Sequence, residues 1–193
     1  MSIEEFNLSI CRELSLSLRE RGWRALIIRE GDEISDLISK EVPQSWSIGV
    51  PGSLTIRQLG LIEKLEEKGY NVIEHWRNSD KADELRRKEV YADVFLTSVN
   101  AASLTGELVI LDYCGNRSGG SLIAKKVYYL VSANKIEKDL DSALRRAWWK
   151  AAGINAVRFK TSPEKLTRVT VILHGPPKLV DGTVILIPKE LGF

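Results

Sequence analysis

Cysteine and histidine are scarce in this chain of 193 residues, which has only two of each. Cys11 and Cys114 are far apart in the sequence, so they form neither a disulfide framework nor a CxxC pair of the kind that binds zinc or an iron–sulfur cluster. His75 and His174 lie in different predicted strands without the spacing of a metal motif, and each is expected to be structural. The sequence therefore predicts no metal site and no cofactor held by the chain itself.

A long hydrophobic run and a strong charge of one sign are also missing. No apolar segment approaches the length that spans a bilayer, and the opening MSIEEFNLSICREL lacks the basic head and apolar core of a signal peptide. The net charge is only +2, from 28 basic and 26 acidic residues, whereas nucleic-acid binders usually show a basic stripe. We therefore expect a soluble, cytoplasmic protein that binds neither membranes nor nucleic acid.

Short apolar runs and amphipathic segments alternate through the first half of the chain. Apolar residues from Ile3 to Leu18 recur at helical spacing and Gly22 stands at the stop position, which predicts a first helix over residues 3–21. RALIIR, WSIGV, YNVIEHW and ADVFLTS are typical of strands, and helical patterns separate them. Strands that alternate with helices indicate βαβ units. The predicted fold class is α/β, a single three-layer α/β/α domain with a mainly parallel sheet over residues 1–193.

The pattern changes after Ser98. ELVILD and KVYYLVS are again typical of strands, but the segment between them is predicted to be a loop, because it is polar and rich in glycine. An added β layer or sheet edge is expected here. A helix over residues 137–150 follows, and RVTVIL and TVILIP are predicted to form a C-terminal pair of strands at about residues 168–188.

The segment IGVPGSLTIRQLG joins a predicted strand to a predicted helix. Thr55 and Gln58 fit a capping box at the start of that helix. Gly52 would let a ligand approach the backbone, Ser53 carries a hydroxyl donor, and a helix N-terminus favours an anion. The same glycines fit an ordinary βα turn equally well, and the segment is neither a Walker A loop nor a dinucleotide motif. Both interpretations stay open.

Polar loops flank the strand that ends at Asp112. In an α/β sheet, ligands collect beyond the carboxyl ends of the strands. An arginine on a glycine-bordered loop, as Arg117 is, suits a carboxylate or a phosphate, although most loop arginines are simply surface residues. Cys114 beside it is expected to be a small buried hydrophobe rather than an exposed thiol. The other polar or small residues at these strand ends are Thr97, Ser98, Asn100, Gly115 and Asn116.

Three long segments carry a resemblance to a known family: GVPGSLTIRQLGLIEKLEEKGYNVIEHW, YADVFLTSVNAASLTGELVILDYCGNR and KKVYYLVSANKIEKDLDSALRRA. They resemble the LUD domain, the lactate-utilisation domain of lactate utilisation proteins B and C and of many short stand-alone proteins. The resemblance implies the fold of the sugar-phosphate isomerase and CoA-transferase superfamily, with a pocket among the GVPGS, SVNA, DxxGNR and NKI segments. With Ser98 added from its place at a strand end, the expected ligand-binding residues are Gly49, Gly52, Ser53, Thr55, Ser98, Asn100, Gly115, Asn116 and Arg117.

By this resemblance, the chain is expected to bind a small anionic metabolite, a phosphate or a carboxylate, in organic-acid (lactate) metabolism. One alternative is an isomerase or CoA-dependent transferase, with Asp112, Glu107 or Lys135 as candidate catalytic residues. Another is a non-catalytic subunit that docks on a redox partner protein or forms a homo-oligomer through the helix that bears Trp148 and Trp149. Short relatives often carry cysteines in the region that here reads RFKTSPEKLTRVTVIL, so electron transfer by this chain itself is not expected.

Overall fold

The structure, a computed structural model, describes residues 2–193. The strands are β1 (Arg24–Ile27), β2 (Ile48–Val50), β3 (Val72–Glu74), β4 (Val94–Ser98), β5 (Ala101–Ser103), β6 (Leu108–Asp112), β7 (Lys126–Ser132), β8 (Ile136–Glu137), β9 (Val169–Leu173) and β10 (Asp181–Ile187). The α-helices are α1 (Ile3–Glu20), α2 (Gly31–Glu41), α3 (Leu54–Gln58), α4 (Leu61–Glu67), α5 (Ala82–Val90), α6 (Asn116–Ile123), α7 (Leu140–Arg146), α8 (Gly153–Arg158) and α9 (Pro163–Leu166). A π-helical turn, Ala147–Ala152, joins α7 to α8.

A six-stranded parallel sheet forms the centre of the fold, with the order β1-β10-β7-β4-β2-β3. Every residue of the central strand β7 is buried, and alternate side chains point to opposite faces. Tyr129 packs in a core cluster with Leu14 and Leu18 of α1, whereas Tyr128 packs in a second cluster with Ile34 of α2 and Leu61 of α4. Helices therefore cover both faces, and the predicted three-layer α/β class is confirmed.

A second sheet of four strands, in the order β8-β5-β6-β9, supplies the expected additional β layer. The two predicted C-terminal strands form as β9 and β10, but their pairing with each other is wrong, because β9 pairs antiparallel with β6 and β10 pairs with β1 and β7. The physical reason is burial. β10 is buried from Gly182 to Ile187, as a central parallel strand must be, whereas β9 begins with exposed Val169 and Thr170 and suits a sheet edge.

The helices follow the predicted pattern with two corrections. The helix predicted over residues 137–150 begins only at Leu140, because Ile136–Glu137 forms β8 and the Asp139 side chain caps α7. Helix α1 ends at Glu20, one residue before the predicted limit, and Gly22 follows with a left-handed φ of 86°. The segment expected to be a loop before β7 instead contains α6. Its first turn is stabilised by the Asp112 carboxylate, which accepts the backbone N–H of Ser118 at 2.8 Å. No helix in residues 2–193 has the length and apolar character needed to cross a membrane.

The glycines of α6 allow the helix to pack closely on the sheet. A Cβ atom at Gly120 would lie 2.2 Å from the buried ring of Phe95, so Gly120→Ala should destabilise the fold by about 1–3 kcal/mol. Gly153 is also helical, but nothing lies within 4 Å of its Cβ position, and Gly153→Ala should stabilise by about 0.5–1 kcal/mol. Urea unfolding of both variants checks this contrast, and shifts of the same sign would contradict it.

Candidate functional site

A cavity of about 750 Å³ opens at the carboxyl edge of the central sheet. Because β3, β2, β4 and β7 are consecutive neighbours in one parallel sheet, the segments that follow them meet at this edge. The loop after β6 of the second sheet adds the residues around Asp112. The volume is in the range of small-molecule sites. The residues of the sequence hypothesis that line this cavity are Gly52, Ser53, Thr55, Ser98, Asn100, Asp112, Asn116, Arg117 and Lys135.

Three predicted residues lie elsewhere. A Cβ atom at Gly49 would lie 2.3 Å from the Glu89 carbonyl oxygen, so this glycine serves the packing of α5 on β2. Gly115 has a left-handed φ of 88° and precedes α6. Glu107 is on the second sheet and accepts hydrogen bonds from Ser103, Thr105 and Arg21. Burial opposes ionisation of Glu107, but these partners outweigh burial and lower its pKa. Glu107 therefore has a structural role in the second sheet.

The loop after β2 is closed by Ser53. Its Oγ atom accepts the Ile56 N–H at 3.3 Å and lies 2.7 Å from Ser98 Oγ. The predicted cap at Thr55 is wrong, since α3 begins at Leu54 and Ser53 is the N-cap. The displacement matters for the site, because it leaves the Thr55 hydroxyl free to accept a hydrogen bond from Lys135 Nζ at 2.8 Å.

Arg117 connects three parts of the cavity wall. From α6, its guanidinium donates to the carbonyl oxygen of Gly52 and, over 3.3 Å, to Asn100 Oδ1. Burial lowers the pKa of Arg117, and the nearby Asp112 and Glu89 carboxylates oppose that shift. A guanidinium stays protonated in proteins, so Arg117 brings a permanent positive charge to the site.

Lys135 is the most deeply buried cation of the cavity, with 2% of its surface exposed. Within residues 2–193, no carboxylate lies within salt-bridge distance of its ammonium group, whose hydrogen-bond partner is Thr55. Burial, followed by the charges of Arg117 and Arg146, lowers the pKa of Lys135 to about 7. Arg146 is itself buried and donates to the carbonyl oxygens of Asn134 and Asn100. Three cationic groups thus lie close together here. Arg146 is 3.8 Å from Glu137 Oε1, whereas Lys135 has no carboxylate this close among the described residues.

Two further candidates have roles that differ from the sequence interpretation. Asp112 lines the cavity, but its oxygens accept the N–H groups of Cys114 at 3.1 Å and Ser118 at 2.8 Å, so it caps α6. Cys114 is exposed, which corrects the expectation of a buried hydrophobe, because it lies in the turn between β6 and α6. Partial burial nevertheless raises the pKa of its thiol, against the effect of Arg86. The thiol is therefore protonated at neutral pH.

A buried polar chain at the cavity wall was missed by sequence reasoning. The Glu89 side chain, 0% exposed, lies 2.7 Å from His75 Nδ1 and accepts a 2.7 Å hydrogen bond from Asn116 Nδ2. The dense charge of both signs in α5 is typical of a solvated face, yet Glu89 is the buried residue of that helix. One signal was available, since Glu89 follows Leu85 by four residues and so shares its face of the helix.

The mouth of the cavity is aromatic and basic. Trp76 lies between two guanidinium groups, with Arg57 at 4.5 Å and Arg158 at 5.1 Å from the centre of its ring. Lys165 and Arg168 also line the cavity. In the described part of the chain, no group of three or more histidine, cysteine, aspartate or glutamate side chains is arranged to hold a metal ion.

Comparison with known proteins gives two matches. The model of the LUD domain family matches residues 11–191. A crystal structure of a DUF162 family protein from Deinococcus radiodurans is similar in fold, with a TM-score of 0.60 and 18% sequence identity, over 94% of this chain and 98% of that chain. A search of curated proteins found no match.

Proposed function

This chain belongs to the LUD domain family, and from that premise we propose that its cavity binds a small anionic metabolite, a carboxylate or a phosphate, in organic-acid (lactate) metabolism. The observation that carries the proposal is the buried ammonium group of Lys135, which has a hydroxyl partner and two cationic neighbours. Removing a charge from water is costly unless an opposite charge compensates it. A bound anion supplies that charge.

The surroundings of Lys135 support an anion rather than a neutral ligand. Arg117 extends from α6 toward Gly52, in the loop after β2. It adds a planar donor group that suits a carboxylate or phosphate. Asp112, a carboxylate of the cavity lining, is already engaged by two backbone N–H groups. Thr55 and Asn100 also line the cavity and add polar surface for the neutral part of the ligand. The chemistry of the wall therefore favours one negative group held at Lys135 and Arg117.

A Lys135→Gln variant should bind anions about 10–100-fold more weakly than the wild type, because a charge-assisted hydrogen bond contributes roughly 1.5–3 kcal/mol. Titration calorimetry with inorganic phosphate, lactate and pyruvate at about pH 6.5 measures the difference while Lys135 is protonated. Lys138→Gln is the matched control, since that side chain is 77% exposed and lies outside the cavity. Equal affinity in the wild type and Lys135→Gln would remove the proposed anion site.

A second candidate function, docking on a partner protein or self-association, has one observation in its favour. Trp148 packs against a small apolar cluster that includes Val109 of β6 and Ala143 of α7, whereas Trp149 is 81% exposed. Val157 and Phe159, a short distance along the same helical segment, are also exposed. Aromatic residues are enriched at protein interfaces. If the wild type binds none of the three anions, this docking function becomes the leading proposal.

A further inference from the structure

A histidine at the cavity wall is held by a fully buried carboxylate. His75 directly follows β3 at the carboxyl edge of the sheet, and its Nδ1 atom lies 2.7 Å from Glu89 Oε1. The second oxygen of Glu89 accepts from Asn116, so the carboxylate is fixed from both sides. A carboxylate that accepts Nδ1–H fixes both the tautomer and the orientation of the ring. The basic nitrogen of such a histidine is Nε2.

The Nε2 atom of His75 has no hydrogen-bond partner among residues 2–193. It is not one of the fully buried polar atoms that lack a partner, so it keeps some exposure to solvent. His75 lines this cavity and also a neighbouring surface pocket beside Ser79 and Lys81, so its ring borders solvent-accessible space. A purely structural histidine in a buried position normally has both nitrogens satisfied. Stabilising Glu89 requires only the Nδ1 contact, and the open Nε2 atom therefore needs another explanation.

The histidine and the cationic wall belong to one site. Asn116, which binds Glu89, is adjacent in α6 to Arg117, which donates to the Gly52 carbonyl. Trp76, next to His75, lies against that same Gly52, where an added Cβ atom would be 2.5 Å from the indole nitrogen. A ligand held by the guanidinium of Arg117 thus lies in the cavity that His75 borders.

We propose that the cavity is an acid–base site, in which His75 exchanges a proton with a carbon next to the carbonyl group of the bound anion. This inference rests on the proposed anion binding. In the step, the ligand C–H bond breaks and an Nε2–H bond forms, while the electron pair moves through the new C=C bond to the carbonyl oxygen. Lys135 and Arg117 stabilise the negative charge of this enolate. The imidazolium then returns a proton to the ligand, so no oxidant or reductant is consumed.

The ligand class follows from the step. It carries a carboxylate or phosphate for the cationic wall and a C–H group activated by a neighbouring carbonyl, as in 2-oxo acids and phosphorylated hydroxyketones. In this arrangement His75 touches the reacting atoms, and Glu89 is a positioning residue that acts through His75. Asn116 restrains the second oxygen of Glu89.

Proton exchange in D2O tests the proposal without knowledge of the complete reaction. Pyruvate and dihydroxyacetone phosphate are incubated with the full chain, and the loss of C–H signal is followed by proton NMR. We expect the wild type to accelerate exchange in the probe that it binds, and His75→Gln to reduce that rate about 100-fold or more, with little change in affinity. His174→Gln is the matched control, because His174 is 64% exposed and outside the cavity, and it should exchange like the wild type.

The role of Glu89 has a separate readout. Glu89→Gln should lower the exchange rate at saturating probe by roughly tenfold or more and leave the probe concentration for half-saturation unchanged. The nitrogen-15 chemical shifts of the His75 imidazole should also change in Glu89→Gln, because the preferred tautomer is lost. If Glu89 had only a structural role, Glu89→Gln would lower the unfolding free energy. It would not lower the exchange rate at an unchanged probe concentration for half-saturation.

The results distinguish the inference from the function on which it rests. A wild type that binds either probe in calorimetry without accelerating exchange overturns the acid–base site and leaves anion binding intact. Unchanged exchange in His75→Gln also overturns it. A wild type that binds neither probe and also fails to bind inorganic phosphate and lactate refutes both proposals.

Discussion

Between about pH 7 and pH 10, the wild-type chain should gain roughly 3–4 kcal/mol of unfolding free energy relative to a Lys135→Met variant. The reason is the pKa of Lys135, which burial and the charges of Arg117 and Arg146 lower from 10.5 to about 7. In the unfolded chain, the same group titrates near 10.4. Between these two pKa values the unfolded state therefore binds up to one proton more than the folded state, and stability rises with pH.

The difference between the two chains is the quantity to measure, because other groups act in the opposite direction. Burial raises the pKa of Cys11 and Tyr129 in the folded state, so their contribution to stability is lost as the pH rises above their unfolded pKa values. Both chains contain these residues, and their effect cancels. The loss of the Thr55 hydrogen bond in Lys135→Met adds an offset that does not vary with pH.

Urea unfolding at about pH 7, 8.5 and 10 measures the effect. Lys138→Met is the control, and its difference from the wild type should stay within about 0.5 kcal/mol across this range, because Lys138 is exposed. Below about pH 6, where Lys135 is protonated in both the folded and the unfolded chain, the wild-type and Lys135→Met curves should run parallel. If the difference in unfolding free energy between the wild type and Lys135→Met does not change with pH, Lys135 is solvated rather than buried.

Much of the fold was predictable because it depends on local signals that agree with one another. The short apolar runs that became β2, β4 and β7 are buried on both faces, and continuous burial is what a central parallel strand requires. Once these strands are parallel, their polar ends must share one edge. That rule, with the family resemblance, brought Ser53, Arg117 and Lys135 to one cavity although they are far apart in the sequence.

The errors arise where tertiary packing overrides a local preference. Glycine and polar residues favour loops, but in α6 the absence of a side chain at Gly120 lets the helix approach Phe95, and Asp112 supplies the cap. Strand pairing also failed, because the order along the chain does not determine which sheet a strand joins. The contact between His75 and Glu89 lies beyond sequence reasoning for a related reason. It joins the end of β3 to the last turn of α5, and no motif spacing encodes that distance.

Above about pH 7, the affinity for pyruvate should fall with rising pH, and near pH 9 it should approach the about 10–100-fold weaker binding expected of Lys135→Gln. The proposed site holds its anion through the charged form of Lys135, and at high pH most free sites are neutral because the pKa of Lys135 is about 7. Binding must then include protonation of the lysine. Pyruvate is a suitable probe, since its carboxylate stays ionised throughout this range.

The same coupling makes binding take up a proton. Calorimetry near pH 9, in buffers of different ionisation enthalpy, should show an uptake that approaches one proton per bound pyruvate. In Lys135→Gln, only Arg117 remains to hold the carboxylate, so binding should be weak and independent of pH, with no proton uptake. If the affinity of the wild type stays constant from about pH 7 to 9, anion binding does not depend on the charge of Lys135. That result would transfer the proposed recognition to Arg117 alone, because that side chain keeps its charge at every pH in this range.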